Sequence, residues 1–157
     1  MSRAASYKVI DEPGPTSLER IIVNPVWPLF AAMFGGSWLG YPWFIINSLA
    51  LGGRRRFVDL GIALGGWAAS GAALVVIAVL RQRLILDERS LAFVPLVPMA
   101  VRMVVMYWLY LRQETTYQLY LYFGGTARNA LLLVFVSGFL RVQVLSGLPQ
   151  FWQMLLG

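Results

Sequence analysis

The sequence predicts an all-α protein, a transmembrane helical bundle of four spanning helices behind a short polar N-terminal tail. Three observations carry this. Of the 157 residues, 59% are hydrophobic and only 13% are charged, about half the charged share of an ordinary globular domain. The mean hydropathy is +0.67. The apolar residues fall into four long runs, separated by short segments that hold most of the charge. About 20 helical residues cross a hydrocarbon core of about 30 Å. Strands that cross lipid alternate over roughly ten residues, and these continuous runs do not.

Residues 1–24 read as the polar tail. Thr16 and Glu19 have the spacing of a capping box, which would start a short helix presenting Leu18, Ile21 and Ile22. Asn24-Pro25 and Pro28 mark entry into the first span, because proline is tolerated in a first turn. No short apolar core precedes a small-residue cleavage site, so the first run is expected to be an uncleaved anchor. The four-helix domain follows over 25–157, with spans expected at about 27–51, 57–80, 91–111 and 130–148.

Span one holds Trp27, Trp38, Tyr41, Trp43, Asn47 and Ser48, and Pro42 should kink it. Gly52-Gly53 and Arg54-Arg55-Arg56 form a tight turn into span two, whose single charge, Asp59, lies in its first turn. Residues 84–90, including Asp87-Glu88, read as a solvated connection. Span three carries Pro95, Pro98 and Arg102. Residues 112–129 read as a connection rich in aromatics, with Gly124-Gly125 before span four. Arg141 and Gln143 interrupt span four, and Pro149 ends it.

Small residues recur every fourth position: Ala32, Gly36 and Gly40 in span one; Gly61, Gly65, Ala69 and Ala73 in span two. Such ridges let helix backbones approach closely in lipid. They predict a tight hairpin of spans one and two, with an interface between two copies as the competing reading; the four-span bundle as a whole is expected to form two tight hairpins. Asn47 and Asp59 are the polar residues placed to contact a partner from these spans.

Arg102 falls near the middle of span three, where an arginine costs about 3 kcal/mol on insertion scales. No acidic residue occurs in spans three or four. Three readings follow: a carboxylate on a partner subunit, an anion or lipid headgroup, or a shallower helix with a snorkelling side chain. Arg141 either joins Arg102 in an anion pathway or marks the end of span four. Tyr107, Trp108, Tyr110, Tyr117 and Tyr120 read as an interfacial belt, since Tyr and Trp favour the headgroup layer.

Composition also limits function. There is no histidine and no cysteine, so the usual ligands of haem and zinc are missing and no cofactor ligated by this chain is expected; bound lipid is compatible. The net charge of +6 comes from 13 basic residues set singly or in threes between apolar runs, as in membrane topology rather than nucleic-acid binding. Twelve of those 13 are arginine, which suggests a GC-rich bacterial genome, and the long apolar runs then place the chain in a bacterial inner membrane. With four spans the basic residues divide almost evenly between the two faces. The Arg54–Arg56 triplet tilts its own side toward the cytoplasm.

The stretch 31–52, with Gly35, Gly36, Gly40, Asn47, Leu51 and Gly52 ahead of the arginine triplet, resembles the opening of a group of uncharacterised small bacterial multi-pass membrane proteins. Gly124-Gly125 before the last span is similar too. The chain departs from that pattern at Ser37-Trp38 and Tyr41-Pro42. The resemblance implies a multi-pass helical protein and no activity. Without a catalytic constellation, the expected function is a non-catalytic subunit that stabilises a larger membrane complex, contacting other subunits or copies of itself. The alternative is an oligomeric channel or transporter protomer using Arg102 and Arg141. An enzyme acting on lipids is a third choice.

Overall fold

A computed structural model describes residues 17–83, 89 and 93–157. The Thr16 end of the capping box, the Asp87-Glu88 pair and the expected start of span three at Leu91 lie outside the described residues. Among those described there are six α-helices, one 3-10 turn and no strand: the turn at Glu19–Ile21, then α1 (Val26–Phe34), α2 (Ser37–Leu51), α3 (Arg56–Gln82), α4 (Leu96–Tyr122), α5 (Leu131–Ser146) and α6 (Gln150–Leu156).

The largest departure from expectation is in span one. Residues 27–51 do not form one helix kinked at Pro42. They form α1 and α2, which run antiparallel about a bend at Gly35-Gly36. Three contacts at successive heights establish this. Ile22 packs with Ala50 and Leu51. The Val23 amide donates to Asn47 Oδ1 at 3.0 Å. A β-carbon at Gly40 would stand 2.5 Å from that of Ala32. Gly36 has φ 103°, a conformation open to glycine at no steric cost. The paired glycines therefore reverse the chain, while Pro42 is absorbed within α2. Both ends of the hairpin, Ile22 and Leu51, emerge on the same side.

α3 and α4 are the long elements. Each has 27 residues, about 40 Å at 1.5 Å per residue. They pack along each other, and α2 lies against both. α3 is the one helix among the described residues clearly long and apolar enough to cross a membrane, with 22% of its most apolar window buried. α4 outruns the predicted span by eleven residues, to Tyr122. It stops in a Schellman arrangement: Gly125 N–H donates to the Tyr120 carbonyl and Gly124 N–H to that of Leu121, both at 3.0 Å, with Gly124 at φ 85°.

Spans three and four do not form the second tight hairpin that was expected. α5 packs on α1, not on its chain neighbour α4. The Arg128 amide donates to the Ile22 carbonyl at 2.9 Å, and a β-carbon at Gly35 would stand 2.8 Å from Ser137 Oγ, so α5 runs parallel to α1. Asn129 Oδ1 accepts from Leu131 N–H at 2.8 Å, an Asx turn that leads into the helix. α5 continues past Arg141 to Ser146, then α6 folds back. The carbonyl end of α6 meets the hairpin tip: Ser37 Oγ donates to the Leu155 carbonyl at 2.7 Å, and Arg141 Nη2 to that of Gly157 at 2.9 Å. α6 thus aligns its negative end with the positive N-terminus of α2.

The core has two parts. Tyr41, Phe44, Ala63, Met106 and Leu109 fill the space between α2, α3 and α4. Ile22, Ala50, Leu51 and Tyr117 form the second near the hairpin's open end. Residues 17–24 are therefore pinned rather than loose, although Ile22 alone of the predicted Leu18, Ile21 and Ile22 face is buried.

Candidate functional site

Polar side chains inside this bundle gather at two heights. The first lies near the Gly52-Gly53 turn. Asn47 Nδ2 donates to Gln113 Oε1 at 3.1 Å, and Gln113 Nε2 donates to the Phe44 carbonyl at 2.8 Å. Ser48 Oγ donates to Asp59 Oδ2 at 2.9 Å. Arg112 Nε donates to Asp59 Oδ1 at 2.7 Å, an ion pair between α4 and α3. Three helices meet here with their polar groups partnered, which is the signature of a structural lock.

The sequence singled out Asn47 and Asp59 as partner contacts. Both are turned inward, 1% and 8% exposed, and both are occupied by groups of this chain. Sequence reasoning missed Arg112 and Gln113 because it placed them beyond the end of span three. The signal available was helical spacing: Met106, Leu109, Gln113 and Tyr117 recur at i, i+3, i+7 and i+11, one continuous buried face.

The second height is about half-way along α3. Arg102 is 7% exposed and its Nη1 has no hydrogen-bond partner. The side chain is turned into protein, so it does not snorkel. Tyr41 and Arg141 are in electrostatic range of it. Trp67 Nε1 is also buried without a partner, Tyr41 Oη makes no close hydrogen bond although the Ser70 hydroxyl is near it, and the two rings meet edge to face with centroids 5.5 Å apart. A β-carbon at Gly66 would stand 2.6 Å from Tyr41 Oη and 2.6 Å from Val105 Cγ1, so this glycine lets the phenol reach α3. Ser70, one turn on, commits its hydroxyl to the Gly66 carbonyl at 2.9 Å.

No family model, curated protein or solved structure matches the chain.

The small-residue positions divide. Gly36 and Gly40 sit at close approaches: a β-carbon on Gly36 would stand 2.5 Å from the Leu156 carbonyl oxygen. Gly61 and Gly65 do not line the packing seam; nothing stands within 4 Å of their β-carbon positions, and Ala69 is exposed. The buried seam of α3 runs instead through Asp59, Ala63, Gly66, Ser70 and Leu74. The aromatic belt also divides. Tyr107 and Trp108 are 54% exposed. Tyr110 stacks on Tyr107 at 6.0 Å and packs on the core. Tyr117 is 6% exposed, inside the second core cluster with Tyr120 against it. These last positions are internal because α4 continues through them as a packed helix.

Chemically, the middle cluster presents N–H and O–H donors and positive charge. None of the three described carboxylates, Glu19, Asp59 and Glu114, forms an ion pair with Arg102. Among the described residues no three metal-binding side chains converge.

Proposed function

We propose that this chain is a non-catalytic subunit of a bacterial inner-membrane complex, and that a partner helix packs on the outward ridge of α3. The observation that carries the reading is the open space over Gly61 and Gly65. Small residues four apart are useful where backbones approach, and lipid alone supplies no drive to keep a helix face flat. With Ala69 they form a shallow lane bordered by exposed Leu64 and, further along, Val76.

The membrane setting rests on the outward apolar surface. Leu132 and Phe139 of α5, Val104 of α4 and Phe57 of α3 are 75, 81, 69 and 67% exposed. Outward apolar side chains of this kind suit contact with hydrocarbon. In this reading α3 and α4 cross the bilayer as an antiparallel pair. The α1–α2 hairpin enters from the Arg54–Arg56 side and returns to it. Non-helical backbone at depth is tolerated where protein covers it, and α6 and Ser137 cover Gly35-Gly36. α5, 16 residues or about 24 Å, is short for a full crossing and turns back through α6. A shallow apolar groove between Trp38 and Trp43 of α2 and Leu133, Val136 and Leu140 of α5 is suited to a lipid acyl chain.

The folding of span one also changes the charge balance. Arg20, Arg54, Arg55, Arg56 and Arg128 now share the hairpin's open side, whereas Arg81 and Arg83 close α3 at the other. By the positive-inside rule this distribution supports a cytoplasmic triplet side.

Native mass spectrometry of the chain drawn from its own membrane in mild detergent tests the proposal. A heteromeric assembly is expected, lost in Gly65→Leu while the subunit's own melting temperature stays within about 2 °C, as for a surface substitution. A stable monomer without partners would sink it.

A further inference from the structure

We propose that Arg102, Tyr41 and Trp67 form a buried site for a small inorganic anion of chloride size, at the height of the hairpin tip. Four observations converge. Arg102 is 7% exposed with Nη1 unpartnered. An isolated buried charge is costly unless something of opposite sign offsets it, and none of the described carboxylates does. Trp67 Nε1 is a further buried, unpartnered donor, and Tyr41 Oη beside it makes no close hydrogen bond, with the Ser70 hydroxyl as its nearest polar neighbour; both lie on helices that face α4. Tyr41 and Arg102 are in electrostatic range, yet Nη1 does not donate to the phenol, as two donors would not if both served a third group.

Arg141 adds a second positive charge within range of Arg102, from a different helix. Its Nη2 is anchored to a Gly157 oxygen at 2.9 Å, which holds the side chain in place. Water could satisfy the neutral donors but supplies no counter-charge. A carboxylate from another chain would have to push through a surface that leaves Arg102 nearly covered. Enclosure therefore selects a compact ion. Tyrosine hydroxyl, indole N–H and guanidinium are all donors suited to one, and they bind by directed hydrogen bonds with charge assistance. The site is separate from the α3 ridge, so it stands or falls independently of the subunit reading.

The test is thermal unfolding of the purified protein in detergent, with chloride exchanged for gluconate at constant ionic strength. Wild type should melt several degrees higher in chloride, saturably, as a ligand specific for the folded state requires. Arg102→Met, of similar length and apolar, should lose the chloride dependence. Tyr41→Phe removes one donor and should raise the half-saturating chloride about tenfold, the equivalent of one hydrogen bond to a charged group; Trp67→Phe should act in the same direction. Equal melting temperatures in the two salts would overturn the proposal. So would an unchanged chloride dependence in Arg102→Met or, should that variant fail to fold, in both Tyr41→Phe and Trp67→Phe.

Discussion

Asp59 shows what single residues do in this protein. Its two carboxylate oxygens are divided between Ser48 and Arg112, which ties α2, α3 and α4 together at one level. The side chains of the pair are 21% and 11% exposed, so water screens the charges only partly. Removing one partner leaves the other uncompensated. Arg112→Met is expected to cost about 2–3 kcal/mol, discounted from the cost of breaking a fully buried pair, read as the shift in a reversible unfolding titration. Asp59→Asn should cost less, because the amide oxygen still accepts from Arg112 while its NH2 can donate to a rotated Ser48 hydroxyl. Asn47 belongs to the same level. Asn47→Ala strands the Val23 amide and one acceptor of Gln113, and should cost about 2–3 kcal/mol by the penalty for unpaired buried groups.

At the scale of elements, the hairpin tip and α6 depend on each other. Gly36 holds a positive φ and leaves no room for a β-carbon against the Leu156 carbonyl. Gly36→Ala should release α6, detected as faster amide exchange over 150–156 with α3 and α4 unchanged. A variant with unaltered exchange would show that the close approach is not needed. The elements also mark where sequence could be read and where it could not. The long apolar run of α3 was legible from composition, and its start and end lie within two residues of expectation. The hairpin was not. Twenty-five apolar residues look the same whether they run straight or fold at a glycine pair, and the apparent ridge of Ala32, Gly36 and Gly40 reflected a turn with one residue on each side. Periodicity of small residues also misled in α3, because Gly61 and Gly65 differ from Gly66 only in which neighbour they face. The aromatic stretch 107–120 concealed the continuation of α4, since tyrosines suit both a headgroup belt and a packed helix face.

For the whole molecule, the two polar levels have different fates. The one near the arginine-rich face was partly visible as Asn47 and Asp59, yet its partners Arg112 and Gln113 emerged only once α4 was continuous. The other was visible as an arginine at depth, while Tyr41 and Trp67 read as ordinary aromatics. Spatial convergence from three helices is not encoded in any local spacing. The same fold fixes how charge is distributed: a hairpin that folds back on itself puts Arg20 and the triplet at one end of the bundle, whereas four spanning helices, in the proposed membrane setting, would separate them. The natural absence of cysteine makes that difference measurable. Single cysteines at Leu18, Arg54 and Arg83, probed in sealed vesicles with a membrane-impermeant maleimide, give the answer. The fold described here predicts that Leu18→Cys and Arg54→Cys label from one face and Arg83→Cys from the other. Labelling of Leu18→Cys and Arg54→Cys from opposite faces would contradict it.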